Sequence, residues 1–334
     1  MNHVLIHEVG PRDGLQAESA VVPTEIKLDW IRRVADSGVD IVQVGSFVRG
    51  DKVPQMADTD ELFRILAKES HPAVLSGLVL NEKGLERALE VGVPLICMGV
   101  SASETHSRKN TGMGTEDATR RIIATALEGQ NAGRKVQVSV QSAFGCGFEG
   151  AIDEARVMGI VAAYLEAGLT SISLADTAGH AHPAQVGRYV QKVLALDPSA
   201  EVTAHIHDTY GLGMASVYAA MEAGARAVET SFGGLGGCPF TKVAAGNVAT
   251  EDLVHGLQRT GQRTDINLAT LIGVTRDVAA HLGRELPGCV YKTGPIQSGS
   301  SFSPSLTVPR QYGGSETGDP AAGAGKRLET GEER

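Results

Sequence analysis

The stretch LEAGLTSISLAD, residues 165–176, holds the pattern that decides the fold of this chain. A helix-like segment ends at a glycine, the residue that most readily adopts the left-handed conformation found at helix ends. The short apolar run SISLAD follows directly and is typical of a buried strand. The stretch therefore predicts one junction between a helix and the next strand.

The same junction recurs along the chain, in ADSGVD, LEVGVP and MEAGAR. Short apolar runs predict eight strands, at residues 4–9, 41–46, 74–80, 95–100, 136–141, 171–176, 202–207 and 227–232. Helix-like segments separate or follow them, at residues 24–37, 61–69, 82–91, 115–131, 153–167, 183–196, 213–223 and 249–259. Eight alternations within about 250 residues predict an α/β protein with a TIM (β/α)8 barrel, because a doubly wound sheet usually has fewer strands.

The remainder of the chain is predicted to extend the barrel. Residues 1–285 are expected to form the barrel domain, with a further helix at 267–282, and residues 286–312 a C-terminal helical extension. Residues 313–334 are rich in Gly and Glu and nearly free of large apolar residues. Such a segment buries too little apolar surface to offset its ordering entropy, so a disordered tail is expected.

Composition excludes several classes of protein. The 334 residues carry a formal net charge of -9, which argues against binding to nucleic acid or to anionic membranes. The four cysteines form no CxxC pair, so neither a disulfide framework nor a thiolate zinc site is indicated. A reducing cytoplasm is therefore the expected location. A soluble, unprocessed protein is expected because the start MNHVLIHEVG lacks a secretory pattern and no run is long enough to span a bilayer.

A TIM barrel carries its active site at the C-terminal ends of its strands. The side chains predicted to meet there are Arg12, Asp13, Asp176, His205, His207, Cys238 and Asn247. Because these groups come from four different strand ends, one rim of the barrel is the predicted site.

The pair His205 and His207 predicts a metal site. Residues two apart on a strand point to the same face, here toward the mouth of the barrel. Asp13 and the amide oxygen of Asn247 would complete a set of two nitrogen and two oxygen donors for Mg²⁺ or Mn²⁺. The alternative is a pair of ordinary polar strand residues.

Arg12 and Asp176 each have a catalytic and a structural interpretation. Beside a metal, the Arg12 guanidinium could stabilise an enolate oxygen, whereas a surface arginine would simply pair with Glu8 or Asp13. Asp176 could orient a substrate hydroxyl or take its proton, or it could cap the helix that follows.

Cys238 and the cations after the fourth strand also have both a functional and a structural interpretation. Cys238 lies in the glycine-rich stretch GGLGGCPF, so its thiol could deliver a proton from a closing loop, or it could be buried and inert. Cys97, Cys146 and Cys289 are expected to be buried and inert. Arg108 and Lys109 are the best candidates for contacting phosphates, although most exposed cations are merely solvated.

Taken together, the motifs resemble those of the 3-hydroxy-3-methylglutaryl-CoA (HMG-CoA) lyase family. The likeness covers about residues 4–285 and rests on EVGPRDGLQ, SFV followed by VPQMAD, SLADT, HIHDTYG, GLGGCPF and AAGNVATEDLV, in this order. Members of that family are metal-dependent TIM barrels. A run of ordered motifs is far more specific than any one of them.

The resemblance implies a function and a set of roles. It implies a retro-Claisen cleavage that splits the C2–C3 bond of a 3-hydroxyacyl-CoA into acetyl-CoA and a 3-oxo acid such as acetoacetate. Divalent metal would bind Asp13, His205, His207 and Asn247, and the catalytic residues would be Arg12, Asp176, His205 and Cys238. Acyl-CoA is the expected partner, and no organic cofactor beyond its CoA is expected. Whether the chain forms a homodimer is left open.

Two departures bear on the acyl group. The family usually has Glu where this chain has Gln43, and often Tyr where it has Ser139. The substrate is therefore expected to be HMG-CoA or a relative with a different group on C3. The positions expected to bind substrate are Gln16, Gln43, Ser46, Ser139, Arg108 and Lys109.

Two other functions stay open at this stage. A Claisen-type synthase would run the condensation with a 2-oxo acid, and a non-catalytic barrel would only bind a ligand. The loop thiol of Cys238 favours the lyase over the synthase, and the joint presence of the predicted groups disfavours a mere binding module.

Overall fold

The computed structural model describes residues 3–237 and 246–296. Cys238 lies outside the described residues, as do the expected tail and the part of the extension from residue 297 onward. Within the described part, no helix has the length and apolar character needed to cross a membrane.

Eight parallel strands close into a barrel in sequence order, so the predicted TIM barrel is confirmed. The strands are β1 Leu5–Glu8, β2 Ile41–Ser46, β3 Val74–Leu78, β4 Leu95–Ser101, β5 Lys135–Gln141, β6 Ser171–Asp176, β7 Glu201–Ile206 and β8 Ala227–Thr230. β1 pairs with both β2 and β8, which closes the sheet and leaves no free edge. Every predicted strand corresponds to one of these strands.

Helices cover the outside of the barrel and continue after it. They are α1 Thr24–Asp36, α2 Thr59–Leu66, α3 Glu82–Glu90, α4 Glu104–Thr111, α5 Thr115–Asn131, α6 Glu154–Glu166, α7 Pro183–Leu196, α8 Gly213–Glu222, α9 Thr250–Arg259, α10 Leu268–Leu282 and α11 Val290–Thr293. The glycines of the four predicted junctions, Gly38, Gly92, Gly168 and Gly224, all have positive φ. Helices α4 and α11 have no counterpart among the helix-like segments predicted from the sequence.

The segment after α10 packs back onto the barrel through its backbone. Asp252 on α9 accepts hydrogen bonds from the backbone N–H groups of Cys289 and Val290. Val290 and Tyr291 are buried, whereas Cys289 is exposed. The expectation that Cys289 is buried was therefore wrong, because only the following residues of this short helix face the core. Cys97 and Cys146 are buried free thiols, as expected.

Two buried glutamates join the turns that follow the first and last strands. Glu8 accepts hydrogen bonds from the backbone N–H groups of Gly10 (2.7 Å) and Phe232 (2.9 Å) and from the Thr250 hydroxyl (2.5 Å). Glu251 accepts one from the N–H of Gly233 at 3.0 Å. Burial raises the pKa of Glu8 to about 7 and that of Glu251 to about 8. These bonds fix the wide helical turn Gly10–Gly14, which carries Arg12 and Asp13, against the end of β8.

Stability should fall with rising pH because of Glu251. In the unfolded chain this carboxyl ionises near its ordinary pKa of 4.5, whereas the folded protein holds the proton up to about pH 8. The stabilisation is thus complete below the unfolded pKa and is lost as pH rises through the folded pKa. Glu251→Gln should reduce this loss by on the order of 2 kcal/mol, measured by urea unfolding at several pH values.

Glu201→Gln, at an exposed position, is the matched control and should leave the pH dependence unchanged. Equal pH dependence in Glu251→Gln and the wild-type protein would contradict the prediction.

Candidate active site

A cavity of about 220 Å³ opens at the C-terminal ends of the strands. Its lining consists of Arg12, Asp13, Gln16, Leu78, Leu80, His106, Asn110, Ser139, Gln141, Ser173, Ala175, Thr177, His205, His207, Glu229 and Gly237. Most of these residues lie on inward-facing strand positions or in the turns just after a strand. Four of the side chains predicted to meet at this rim line the cavity, namely Arg12, Asp13, His205 and His207, whereas Asp176 and Asn247 are not in its lining.

Three of the predicted metal ligands come together at this cavity. The potential ligand atoms of Asp13, His205 and His207 all lie within 4.8 Å of one another. The two histidine Nε2 atoms are 3.1 Å apart, and Asp13 Oδ2 lies 3.9 Å from that of His205 and 3.6 Å from that of His207. Two imidazoles and a carboxylate in this arrangement fit one divalent cation.

Asn247 stands beside this group in the position predicted for it. Its Nδ2 donates to Asp13 Oδ2 at 2.7 Å and to the Leu235 carbonyl at 3.0 Å. Its Oδ1 is buried and has no hydrogen-bond partner among the described residues. Because a buried amide oxygen without a partner is costly, an unmatched acceptor next to Asp13 suits a cation ligand.

Glu229, which was not predicted from the sequence, also lines the cavity and contacts His205. Its Oε2 lies 2.7 Å from Nδ1 of His205, and both side chains are buried. A carboxylate on Nδ1 fixes the ring so that Nε2 faces His207 and Asp13, as in carboxylate–histidine–metal arrangements. Its position in β8 could have suggested this contact, because Glu229 is paired in register with His205 on β7.

The charges at the site support one another. Burial opposes ionisation of Asp13, but Arg12 and the two histidines hold the pKa of its carboxyl well below the usual value. Burial likewise disfavours protonation of His205, yet the hydrogen bond to Glu229 raises the pKa of its imidazole. The site thus keeps Asp13 ionised and ready to bind a cation.

Arg12 is held on two sides at the wall of the cavity. Its Nε donates to Oε1 of Gln43, and its Nη1 donates to Asp13 Oδ1 at 2.7 Å. The third nitrogen, Nη2, has no hydrogen bond to any described residue. Of the two pairings considered for Arg12, the one with Asp13 is present, but it lies in the cavity wall with only 12% of the Arg12 side chain exposed.

Asp176 lies just outside the cavity lining. Its Oδ1 accepts the N–H of His180 at 2.8 Å and its Oδ2 accepts the N–H of Ala181 at 3.0 Å. Asp176 therefore fixes the turn that leads into α7, which is close to the capping role considered for it. Burial raises the pKa of its carboxyl.

The predicted substrate-binding residues are distributed unevenly. Gln16 and Ser139 line the cavity, whereas Gln43 and Ser46 are buried and do not line it. Arg108 pairs with Glu104 at 2.6 Å, and the Lys109 ammonium lies 4.0 Å from the centre of the Phe148 ring. Neither cation lines the cavity.

Two neighbours of these cations on the same helix, His106 and Asn110, do line the cavity. Neither was predicted from the sequence, because no helix was predicted between β4 and α5. Residues four apart on a helix share a face, so a predicted helix there would have placed them together.

Comparison with known proteins identifies the family. A family model described as HMGL-like matches residues 3–278. The hydroxymethylglutaryl-CoA lyase YngG of Bacillus subtilis is 34% identical over 284 residues, which cover 85% of this chain and 95% of that protein. The (R)-citramalyl-CoA lyase of Chloroflexus aurantiacus is 36% identical over 305 residues, covering 89% of this chain and 96% of that protein.

A solved structure agrees with these relatives. An HMG-CoA lyase from A. baumannii, in complex with coenzyme A and 3-methylmalate, has a TM-score of 0.83 and 38% sequence identity, and the match covers 88% of this chain and 96% of that one. The resemblance inferred from the motifs is thereby confirmed. This chain belongs to the HMGL-like family and is a carbon–carbon lyase.

Proposed function

We propose that this protein cleaves the C2–C3 bond of HMG-CoA or of a close relative with another group on C3. The products would be acetyl-CoA and an oxo acid, such as acetoacetate from HMG-CoA. The observation that carries the proposal is the meeting of Asp13, His205 and His207 with Arg12 at one cavity in a chain of this family.

Members of this family depend in general on a divalent metal, and the residues present fit one. Asp13, His205, His207 and Asn247 would hold Mg²⁺ or Mn²⁺. A bound cation of this kind holds and polarises substrate oxygen atoms. Glu229 would keep the His205 ring in the orientation that this binding needs.

Arg12 would stabilise the negative charge that develops during cleavage. When the C2–C3 bond breaks, its electron pair becomes the enolate of acetyl-CoA, and charge accumulates on the thioester oxygen. A fixed guanidinium with a free N–H group lowers the energy of such an oxygen without having to reorganise. Nη2 of Arg12 is the group available for this contact.

Two proton transfers complete the reaction. A base must take the C3 hydroxyl proton, and of the two candidates Asp176 suits this role better than His205, whose Nε2 is needed for the metal. Among the residues that the structure describes, one N–H group bonds to each carboxylate oxygen of Asp176, which leaves a lone pair on each oxygen for a proton. Cys238 would return a proton to C2, a role taken from the family resemblance alone.

The acyl-CoA partner is supported by the relatives. One related structure holds coenzyme A, and several relatives are named for CoA esters. Arg108 and Lys109 are proposed to contact the phosphates of the CoA. A cytoplasmic location is proposed only because the four cysteines form no paired motif.

The proposed function is tested by acetyl-CoA release from a panel of 3-hydroxyacyl-CoA esters. We expect turnover with Mg²⁺ or Mn²⁺, loss of turnover after treatment with a chelator, and recovery when the cation is restored. Full turnover in metal-free protein would refute the metal dependence. Absence of acetyl-CoA from every ester would refute the lyase activity.

Replacing Arg12 and replacing Asp13 should impair the reaction in different ways. Arg12→Gln should lower turnover by roughly 10²- to 10³-fold, the usual effect of losing one donor to a developing oxyanion. The affinity of Arg12→Gln for metal should not fall, because the substitution removes a guanidinium charge that would repel a metal cation bound at Asp13. Asp13→Ala should weaken metal binding at least roughly tenfold and regain activity at high cation concentration.

Calorimetric metal titration beside single-turnover rates measures both effects. The assignment is wrong if Arg12→Gln loses metal affinity as severely as Asp13→Ala does.

Glu229 should act through His205. Glu229→Gln keeps an acceptor oxygen but removes the charge, so metal affinity should fall roughly tenfold while the fold is retained. Calorimetric titration with Mn²⁺ measures the change, and Glu201→Gln is the matched control, because Glu201 is an exposed glutamate on the neighbouring strand β7. An unchanged dissociation constant in Glu229→Gln would show that the carboxylate does not support the ligand.

A further inference from the structure

We infer that the N-terminal mouth of the barrel is a second ligand site, which takes an organic phosphate with an apolar body. A cavity of about 790 Å³ opens there, at the opposite end of the strands from the proposed active site. Cavities that hold small organic molecules usually measure roughly 300–1,000 Å³. The N-terminal cavity lies in this range, whereas the active-site cavity measures about 220 Å³.

The N-terminal cavity reaches into the interior of the barrel. On β7, Thr203 lines this cavity, whereas His205, two residues later on the same face, lines the active-site cavity. The Thr203 hydroxyl accepts a hydrogen bond from Nε2 of Gln137 at 3.0 Å, and both side chains are buried. Because this buried polar pair also lines the N-terminal cavity, the cavity is more than a depression in the surface.

The wall of the N-terminal cavity is apolar over much of its circumference. Val74, at the start of β3, is a large apolar side chain with 36% of its surface exposed. An apolar group exposed in a cavity offers contact area to an apolar part of a ligand. Five strands begin with an apolar residue that lines the cavity, namely Leu5, Ile41, Val74, Leu95 and Ala227.

The charged groups of this cavity leave two positive charges unbalanced. Its lining contains three cations and two carboxylates, namely Arg134, Lys135, Arg226, Asp40 and Glu201. Asp40 is balanced by the buried Arg263, whose Nη1 lies 2.6 Å from its Oδ2. Arg226 directly precedes β8, and Glu201 begins the neighbouring strand β7, so these two charges offset each other. The surplus therefore belongs to Arg134 and Lys135.

Arg134 and Lys135 are consecutive in the chain and are available to an anion. Within residues 3–237 and 246–296, neither side chain makes a hydrogen bond or an ion pair, and the Nε of Arg134 is buried. A buried N–H group without an acceptor is costly, and an anion bound at this position would remove the cost.

A phosphate monoester fits this pair of cations better than a carboxylate does. It carries about 1.5 to 2 negative charges at pH 7 and three acceptor oxygens, whereas a carboxylate carries a single charge. Hydrogen bonds between cationic side chains and phosphate oxygens are among the strongest that a protein makes. An organic phosphate would place its anionic group at Arg134 and Lys135 and its apolar body against the first residues of the strands.

The first experiment titrates the magnesium-loaded protein with 1-naphthyl phosphate by calorimetry. The naphthalene ring supplies the apolar body, and the phosphate supplies the charge. The probe should bind at one saturable site, at least roughly fivefold more tightly than 1-naphthoate, which has the same ring but a single charge. Inorganic phosphate should bind at least roughly tenfold more weakly than the probe, because it lacks the ring.

A double variant tests the position of the site. Arg134→Gln combined with Lys135→Gln removes the surplus charge and should weaken binding of 1-naphthyl phosphate at least roughly tenfold. Lys52→Gln combined with Lys83→Gln is the matched control, because it removes the same charge at two exposed lysines outside the cavity lining. The affinity of the control should stay within about twofold of the wild-type value, since solvent and salt screen distant charges.

A variant on the opposite wall tests the apolar side independently. Val74→Glu adds a negative charge to the cavity and should also weaken binding of 1-naphthyl phosphate at least roughly tenfold. The midpoint of thermal unfolding shows whether each variant has kept its fold.

The outcomes separate this inference from the proposed function. Loss of binding in the double variant and in Val74→Glu, with binding kept in the control, supports the second site. The inference is overturned if the probe does not bind saturably, if 1-naphthoate binds as tightly as 1-naphthyl phosphate, or if the double variant binds like the wild-type protein. Release of acetyl-CoA is measured separately and decides the proposed function alone.

Discussion

The ionised carboxylate of Asp13 is the constraint on which the site depends. It lies at the mouth of a closed barrel, where burial opposes its charge, and it stays ionised because Arg12, His205 and His207 surround it. Arg12 and Asp13 follow β1 and the two histidines lie at the end of β7, so the pairing of β8 with both strands brings the four residues together. Glu8 maintains this closure at the turn, through backbone bonds to Gly10 and Phe232. The fold and the metal site are therefore specified by the same contacts.

The barrel supports this centre with an unusually polar interior. TIM barrels generally fill their interior with bulky branched side chains. Here His7, 0% exposed, bonds through Nε2 to Ser76 Oγ at 2.9 Å, and its Nδ1 lies 3.6 Å from Glu229. Burial lowers the pKa of His7 to about 4, so its ring is neutral at physiological pH. A neutral imidazole behind Glu229 leaves that carboxylate free to serve His205, and the cost of burying these polar groups is offset by their mutual bonds.

The barrel and the candidate metal ligands could be predicted from the sequence. The side-chain contacts that hold these ligands in place could not. Strands and helices follow from local periodicity, and the alternation of side chains along β7 places His205 and His207 on one face. Glu229 and the bond between Arg12 and Gln43 were missed as contacts because they depend on pairing between strands. The bonds of Asp176 to the turn after β6 are local, and capping was considered for it, but periodicity gives no means of choosing between capping and catalysis.

The net negative charge of the chain makes its few local cations important for binding an anionic substrate. A chain with a net charge of -9 repels an anionic acyl-CoA at long range, so binding must rely on a few local cations. At the surface, Arg108 is already paired with Glu104, whereas the Nη2 of Arg12 in the cavity wall has no hydrogen bond within the described part of the chain. A buried cation interacts more strongly with an anion than an exposed one does, because water screens it less. Under the proposed function, Arg12 should therefore contribute more to binding of the acyl end than the exposed, paired Arg108 contributes to binding of the CoA phosphates.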